Sequence, residues 1–473
     1  MSSKIRTRIA PSPTGFMHIG NAHTGLFNYL FAKKMHGEFL LRIEDTDVER
    51  SKKEYEEDII NGLKWLGLKW DGEIIHQRKR SERHKEFLQK LLDSEKAFYC
   101  FHSQEELADE QKNQEAEKKA YTHVCEHKNL SAEDTKSKSG GIIRLKNPNK
   151  RIVFNDMIRG EVSFNTALLG DFSLAKDLDN ALYNFAVVID DYEMEITHVI
   201  RGEDHISNTP KQILIQEALG LERPEYAHVP LILAKDRSKL SKRHGGTSLI
   251  EYKRMGYLPE AMINFMALLG WHPADNREIF SLEELIKEFD ISRVQKAGAV
   301  LDIEKLESIN HHYIKNLVPA ELAKYLEPYV EEYKTDTDLV LRTADLFGDR
   351  LKKFSDIREL GGFIFKLPEY ETKLLIWKGA SENKTQKSLE LSLSILEKID
   401  EKSFDIDTIS TELMPVADEK GRGDILWPLR VALSGLDKSP SPFEIMEVLG
   451  KKESLHRIKE AIGKLDSKGK AKP

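Results

Sequence analysis

The chain of 473 residues carries a formal net charge of −7 and only two cysteines. This length allows several domains with sizeable cores, the negative charge gives no global attraction to nucleic acid, and two cysteines exclude a disulfide-rich scaffold. Neither a membrane-spanning apolar run nor a signal-peptide pattern is present, so we expect a soluble, cytoplasmic protein without membrane contact.

The first predicted strand ends near Ala10 and is followed by a loop rich in Pro, Ser and Gly. Apolar residues then recur at three- and four-residue spacing, which predicts a helix that begins near His18 or Gly20. The N–H groups and dipole at the start of a helix stabilise an anion, Gly20 lets a ligand approach the backbone, and His18 can donate to phosphate oxygens. The segment predicts a nucleotide-phosphate site, with a plain strand–turn–helix and a capping histidine as the alternative.

A second predicted strand, 39–43, is followed by Glu44, Asp45 and Asp47. Ligands of doubly wound sheets bind beyond the carboxyl ends of strands, so these carboxylates are candidate ligand contacts. Capping of the next helix is the alternative, and it suits Asp47. The basic run HQRKRSERHK (76–85) then predicts either a solvated helix face or a contact to a nucleic-acid backbone.

Two Cys-x-His pairs, Cys100 with His102 and Cys125 with His127, flank a polar segment of helical composition. Such a set can supply the four ligands of a closed, structural zinc site. Two unconnected cysteines beside surface histidines are the alternative. The following stretch, 151–174, alternates apolar and polar residues and predicts short strands.

A strand at 196–200 leads into the loop RGEDH (201–205), and an apolar strand at 228–233 precedes the basic loop KLSKRHGG. Lysines in a loop next to glycines can reach a bound triphosphate, although a solvated surface is the common role of such a loop. From 249 onwards the pattern is helical, without the alternation of a β-barrel.

These motifs resemble a known family. PSPTGFMHIGN is similar to the HIGH signature and KLSKR to the KMSKS signature of class I aminoacyl-tRNA synthetases, and RIAPSPTG, LRIEDTD and VIRGEDH resemble bacterial-type glutamyl-tRNA synthetases. The resemblance, which runs to about Leu465, implies a glutamate–tRNA ligase that forms glutamyl-adenylate from L-glutamate and ATP and then charges tRNA(Glu). The helical C-terminal half favours this enzyme over glutaminyl-tRNA synthetases, which end in β-barrels, and over the short tRNA-modifying paralogue.

The implied fold is α/β, with a Rossmann-type doubly wound catalytic domain, an inserted α+β domain and all-helical tRNA-binding domains. The catalytic domain would comprise 1–97 and 184–248, interrupted by an acceptor-end-binding domain at 98–183. A stem-contact domain would follow at 249–319 and an anticodon-binding domain at 320–473. We expect a monomer.

The resemblance also implies the roles of individual residues. The residues implied for ATP, which Mg²⁺ would accompany, are His18, Gly20, Asn21, Lys239, Ser241 and Lys242, of which His18, Lys239 and Lys242 would be catalytic. The residues implied for glutamate are Arg8, Ser12, Glu44, Tyr183 and Arg201. Arginine suits a carboxylate because its planar fork can pair with both oxygens. The residues implied for one structural Zn²⁺ are Cys100, His102, Cys125 and His127, where some relatives have a cysteine in place of His102.

Several alternatives remain open at this level. Arg201 could instead form a structural ion pair with Glu203 or Asp204. The stretch before Tyr183 lacks the glycine and the proline–threonine pair of the family, so this loop could differ in shape. The chain could also charge tRNA(Gln) with glutamate, or be an inactive tRNA-binding paralogue. Intact His18, Gly20, Lys239 and Lys242 argue against the last possibility.

Overall fold

The structure is a computed structural model that describes residues 4–138, 140–238, 240 and 248–469. The chain forms two compact units, a first unit of Met1–Lys253 with Pro259–Leu306 and a second unit of Arg254–Leu258 with Glu307–Pro473. Among the described residues, no helix combines the length and the apolar character that a membrane span requires.

The elements follow one another in this order. The strands are β1 Arg6–Ile9, β2 Glu38–Ile43, β3 Ile75–His76, β4 Ala97–Cys100, β5 Ile142–Leu145, β6 Arg151–Asp156, β7 Gly160–Asn165, β8 Ser173–Ala175, β9 His198–Gly202, β10 Glu225–Val229, β11 Ile232–Leu233 and β12 Ala299–Val300. The helices up to the second unit are α1 Ile19–Lys34, α2 Lys53–Trp65, α3 Ser81–Asp93, α4 Gln104–Ala116, α5 Ala132–Lys136, α6 Tyr183–Glu193, α7 Thr209–Leu219, α8 Leu249–Met255, α9 Pro259–Leu268, α10 Leu282–Glu288 and α11 Ile303–Lys315. The remaining helices are α12 Pro319–Val330, α13 Thr337–Phe347, α14 Ile357–Leu360, α15 Gly362–Phe365, α16 Glu382–Leu396, α17 Ile406–Lys420, α18 Arg422–Ser434 and α19 Pro442–Gly469.

The centre of the first unit is a parallel arrangement of strands. β1 pairs with β2 and β2 with β3, while β9 pairs with β10, all in parallel. The two groups meet where the N–H of Thr197 donates to the carbonyl of Arg6 at 3.1 Å. The carboxyl ends of β1 and β9 therefore lie side by side, at the position where doubly wound sheets bind their ligands.

Helix α1 is held against this sheet by buried polar groups as well as by apolar packing. Asn28, which is fully buried, donates from Nδ2 to the carbonyl of Ile200 in β9 at 2.9 Å. Thr7 in β1 donates from Oγ1 to the carbonyl of Asn28 at 3.0 Å. A buried donor needs a partner, so these bonds fix α1 relative to both β1 and β9.

The segment predicted as an inserted domain contributes to two sheets. β4, β5 and β8 form an antiparallel sheet of their own. β6 instead pairs with β10 at Tyr226 and Asp156, and β7 pairs with β6. Residues of this segment therefore extend the sheet that contains β9 and β10.

One predicted strand is divided in the structure. The apolar run at 228–233 contributes to β10, which ends at Val229, and to β11, which begins at Ile232. Pro230 lies between them and has no N–H to donate to a neighbouring strand, which explains the interruption.

The described elements of the second unit are helices, so the α/β fold with a helical C-terminal region is confirmed.

A buried cation lies inside this unit. Arg457 is 2% exposed and donates from Nη1 to the carbonyls of Phe363 and Leu433, at 2.8 and 2.7 Å. Its Nη2 donates to the carbonyl of Ile364 at 2.9 Å, and its Nε to Glu453 at 2.8 Å. One guanidinium thus satisfies carbonyls of two other helices.

We expect Arg457→Met to destabilise the second unit by about 3 kcal/mol, because the buried carbonyls lose their donors. Hydrogen exchange measured by mass spectrometry would show faster exchange in peptides from α15, α18 and α19. Lys459→Met is the matched control, since its ion pair with Glu397 is largely exposed and should be worth less than about 1 kcal/mol. Equal protection in the two variants would contradict a structural role for Arg457.

Candidate active site

A cavity of about 770 Å³ opens at the carboxyl ends of β1, β2, β9 and β10 in the first unit. The sequence-predicted residues in its wall are Arg8, Ser12, His18, Gly20, Asn21, Glu44, Tyr183 and Arg201. The structure therefore brings together the residues predicted for glutamate with His18, Gly20 and Asn21. These residues come from parts of the chain that are far apart in sequence.

Three predicted ATP contacts, Lys239, Ser241 and Lys242, lie outside the described residues. Leu240 and Ser248, which are described, both line the cavity. Ser248 forms a β-bridge with His18, and the N–H of Leu249 donates to the carbonyl of Met17 at 2.9 Å.

His18 is the N-cap of α1. Its Nδ1 accepts hydrogen bonds from the N–H groups of Gly20 at 3.1 Å and Asn21 at 3.3 Å, which places the proton of the neutral imidazole on Nε2. A Cβ at Gly20 would lie 3.0 Å from the imidazole, so a side chain there would press on the cap. The capping histidine is thus observed, and two N–H groups that we expected to face an anion already have a partner in His18.

A buried ionic network lies under the cavity. Arg8 pairs with both carboxylate oxygens of Asp191, from Nε at 3.0 Å and from Nη2 at 3.1 Å. Arg42, which is fully buried, donates to the same Asp191 at 2.6 Å and to Glu44 at 3.0 Å. The fork of Arg8, which the sequence assigned to a substrate carboxylate, is therefore used by Asp191, and Nη1 is the remaining nitrogen of its guanidinium.

Glu44 shares this environment. Burial raises the pKa of Glu44 above its usual range, against the opposing effect of Arg42. A substrate ammonium at the cavity would favour the ionised carboxylate, because an opposite charge stabilises the charged form. Glu44 thus has the chemistry of an ammonium acceptor in the position that the sequence suggested.

Arg201 differs from Arg8 in its partners. Its Nε donates to His228 at 3.2 Å and its Nη2 to Thr209 at 2.7 Å, while Nη1 is buried and has no hydrogen-bond partner among the described residues. Burial lowers the pKa of Arg201, as expected for a cation whose hydrogen-bond partners among the described residues are neutral. The alternative of an ion pair with Glu203 is wrong, because Glu203 pairs with Arg159.

Tyr183 is the first residue of α6, at the rim of the cavity. Its hydroxyl lies 3.1 Å from Nδ1 of His205, and desolvation raises the pKa of Tyr183 to about 12. The preceding loop is closed by Asn180, which donates from Nδ2 to Asp177 at 2.9 Å. Tyr183 therefore acts as a neutral hydroxyl at any ordinary pH.

Several basic side chains of the run at 76–85 form ion pairs within the protein. Arg80 pairs with Asp190 at 2.7 Å and with Glu193 at 2.5 Å, and Arg83 also pairs with Glu193. Lys85 pairs with Asp179 at 2.7 Å. These ion pairs neutralise much of the positive charge of the run. The sequence could not show them because the acidic partners lie about a hundred residues away.

A separate group of potential metal ligands comprises Cys100, His102, His123 and Cys125, whose ligand atoms lie within 4.8 Å of one another. Sγ of Cys100 is 3.4 Å from Nδ1 of His102 and 3.7 Å from Nε2 of His123. Sγ of Cys125 is 3.6 Å from Nδ1 of His102. Two thiols and two imidazoles fit a tetrahedral zinc site.

The predicted ligand His127 lies near this group, with its Nδ1 3.5 Å from Sγ of Cys125. His123, which the sequence analysis missed, is a member of the group. Its other ring nitrogen, Nδ1, lies 2.6 Å from Glu110, the kind of second contact that orients a metal-bound histidine. Nδ1 of His127 accepts a hydrogen bond from the N–H of Phe101 at 3.1 Å, and His127 belongs to a second group with His102 and Glu126.

Sequence reasoning also missed Asp191 and Arg42. One signal was available for Asp191, since Asp190 and Asp191 end an otherwise apolar helical run. Acidic residues in such a position are seldom buried unless they are paired. Arg42 carried no comparable signal, because a single arginine in a strand is common on exposed faces.

Comparisons with known proteins show the family of this chain. A family model described as tRNA synthetases class I (E and Q), catalytic domain, matches residues 4–308, and one described as anticodon binding domain matches residues 321–462. Glutamate–tRNA ligase 2 of Thermoanaerobacter pseudethanolicus is 42% identical over 97% of this chain and 98% of its own. Glutamate–tRNA ligase of Aquifex aeolicus is 42% identical over 98% of this chain and 100% of its own. The crystal structure of a glutamate tRNA ligase from Elizabethkingia meningosepticum, in complex with its amino acid, has a TM-score of 0.88, with 34% identity over 98% of this chain and 99% of that chain.

We expect Asp191→Asn to destabilise the first unit most strongly at neutral pH. Burial by itself raises the pKa of Asp191, but Arg8 and Arg42 lower it to about 2, below the usual value of about 3.9. The ionised carboxylate therefore stabilises the fold above about pH 4, and this contribution is lost as the pH falls towards 2.

Thermal melting of the wild type and Asp191→Asn measures this contribution. The difference in the free energy of unfolding between the wild type and Asp191→Asn should decrease by about 1 kcal/mol from pH 6 to pH 3. Asp275→Asn, which removes an exposed partner of Arg277, is the matched control and should show little pH dependence of its own. A difference that stays constant with pH would show that the network does not depend on the charge of Asp191.

Proposed function

We propose that this chain activates L-glutamate with ATP in the cavity described above. The chain belongs to the class I tRNA synthetases for glutamate and glutamine and, within them, to the glutamate–tRNA ligases. The α-carboxylate of glutamate attacks the α-phosphate of ATP, which gives glutamyl-adenylate and pyrophosphate. The terminal adenosine of tRNA(Glu) then takes the glutamyl group and AMP leaves. No protein nucleophile is needed, so the protein acts by positioning and by electrostatic stabilisation.

The observation that carries this proposal is the buried Nη1 of Arg201 in the cavity wall, which has no hydrogen-bond partner in the described part of the chain. A buried donor without a partner costs about 1 to 3 kcal/mol, which a ligand oxygen would recover. The side-chain carboxylate of glutamate supplies such an oxygen together with the counter-ion that Arg201 lacks among the described residues. The neutral amide of glutamine would leave the charge uncompensated, so the site favours glutamate.

The other cavity residues complete the proposed site. Glu44 accepts hydrogen bonds from the substrate ammonium, while Arg8, Ser12 and Tyr183 contact its carboxylate and backbone-like groups. His18, with Gly20 and Asn21 in the first turn of α1, would border the ATP phosphates, which Mg²⁺ would accompany. We infer that Lys239, Ser241 and Lys242, which lie outside the described residues, bind the phosphates, since the described residues Leu240 and Ser248 line the cavity.

The helical regions would bind the tRNA. We infer a stem contact at 249–319 and anticodon recognition at 320–473, with 98–183 receiving the acceptor end between the halves 1–97 and 184–248. The family model for anticodon binding covers most of the last range and supports this division. We further propose a monomer that works in the cytoplasm.

The activity is tested by charging purified tRNA(Glu) and tRNA(Gln) with radiolabelled glutamate and ATP. Charging of tRNA(Glu) alone would identify a discriminating enzyme, and charging of both tRNAs a non-discriminating one. Lys242→Ala should lose most of the activity. Binding of tRNA without charging of either species would overturn the proposal and leave a tRNA-binding paralogue.

We expect Arg201→Gln to raise the KM for glutamate by about 100-fold, because the variant loses a charged hydrogen bond to the substrate carboxylate. The KM for ATP should stay near the wild-type value. Arg223→Gln is the matched control, since Arg223 is partly exposed and pairs with Glu217 outside the cavity. Equal glutamate KM values in the two variants would remove Arg201 from the substrate site.

We also propose that Cys100, His102, His123 and Cys125 hold one structural Zn²⁺, which would stabilise the fold of 98–183 and leave no open position for chemistry. The metal content of the purified chain after dialysis tests this set. We expect one zinc per chain in the wild type and in His127→Ala, and loss of zinc in His123→Ala and Cys125→Ser. Retention in His123→Ala with loss in His127→Ala would restore the ligand set predicted from the sequence.

A further inference from the structure

Arg201 is held by a buried histidine, which is itself held by a buried aspartate. Nε of Arg201 donates to Nε2 of His228 at 3.2 Å, and Nδ1 of His228 donates to Oδ2 of Asp156 at 2.6 Å. The side chains of His228 and Asp156 are both 0% exposed. The three residues lie on β9, β10 and β6, which are successive strands of one sheet.

The contacts determine which nitrogen of His228 carries the proton. Oδ1 of Asp156 accepts from the N–H groups of Ile158 and Arg159, at 3.0 and 2.8 Å, so Oδ2 faces the imidazole as an acceptor. Nδ1 of His228 must therefore be protonated and Nε2 must be the acceptor for Arg201. Burial lowers the pKa of His228, which keeps the imidazole neutral at neutral pH.

We propose that His228 and Asp156 are positioning residues that orient Arg201 for the substrate carboxylate and so determine amino-acid specificity. This inference rests on the proposed function, in which Nη1 of Arg201 binds that carboxylate. With Nε bonded to His228 and Nη2 to Thr209, the guanidinium is fixed before the substrate arrives, and little further side-chain entropy is lost on binding.

The neutrality of His228 is as important as its geometry. Arg8 pairs directly with the carboxylate of Asp191, which neutralises its charge. Arg201 is separated from Asp156 by an uncharged imidazole, so its positive charge remains available to an anionic substrate. The arrangement orients an arginine without supplying a competing carboxylate, which explains how the site can prefer glutamate to glutamine.

Asp156→Asn tests the proton position at nearly constant volume. If the amide oxygen keeps the bonds to the N–H groups of Ile158 and Arg159, the amide NH₂ faces Nδ1 of His228 and moves the imidazole proton to Nε2. A donor then points at the Nε–H of Arg201. We expect the KM for glutamate in ATP–pyrophosphate exchange to rise by about 10- to 100-fold, with kcat and the KM for ATP close to wild type.

Two substitutions at His228 separate positioning from packing. His228→Leu removes the acceptor and should raise the glutamate KM as Asp156→Asn does. His228→Gln keeps a carbonyl acceptor near the place of Nε2 and should recover most of the loss. Tyr226→Phe is the matched control, because it removes a buried hydrogen bond with Gln216 from the same strand but leaves Arg201 and its partners in place.

The wild-type protein itself allows a spectroscopic test of the proton position. Nitrogen chemical shifts of isotope-labelled histidine in the wild type, assigned by comparison with His228→Gln or by through-bond correlation, should show a neutral His228 protonated at Nδ1. In Asp156→Asn the proton should appear on Nε2. A wild-type imidazole protonated at Nε2 or at both nitrogens would overturn the proposal.

The kinetic outcomes distinguish this proposal from the function on which it rests. If Arg201→Gln raises the glutamate KM while Asp156→Asn and His228→Leu do not, Arg201 binds the substrate without help and the positioning proposal fails. If Arg201→Gln has no effect on that KM, the carboxylate role of Arg201 fails first. A rise in the KM values for ATP and glutamate alike would assign His228 a general structural role and also overturn the proposal.

Discussion

The buried carboxylate of Asp191 is the constraint on which the site depends. It binds Arg8 and Arg42, and through Arg42 it fixes Glu44, all with side chains that are at most 9% exposed. Charges removed from water are tolerated only when they are paired, so these side chains have little freedom to adopt other arrangements. Since Asp191 lies on α6 while its partners lie on β1 and β2, the same pairs join the two halves of the catalytic fold.

Two arginines border the cavity with opposite electrostatic roles. Arg8 is bound by a carboxylate, whereas Arg201 has only neutral partners among the described residues. The aspartate that indirectly orients Arg201 comes from β6, within the segment predicted as an insertion. That segment is therefore connected through β10 to the strands that border the cavity.

The fold and much of the site could be predicted from the sequence because their signals are local. A strand followed by a Pro- and Gly-rich loop and a helix places His18 at an N-terminus whatever the rest of the chain does. Acidic and basic residues directly after strands, such as Glu44 and Arg201, lie at the carboxyl edge of a parallel sheet as a consequence of strand direction. Family motifs at the same positions predict which ligand those residues bind, and that assignment stays a prediction.

The partners of these residues were decided only by the tertiary structure. Arg8 and Asp191 are 183 positions apart, and Asp156 and His228 are 72 apart, so their pairing depends on strand order and not on any local pattern. His123 and His127 are each two residues from Cys125, and spacing alone could not choose between them. In the structure, Nε2 of His123 lies 3.7 Å from Sγ of Cys100, while Nδ1 of His127 accepts from the N–H of Phe101 and lies 3.5 Å from Sγ of Cys125. The ligand set that includes His123 is our proposal. Sequence determined which groups were available at the strand ends, and packing determined which of them remained for a ligand.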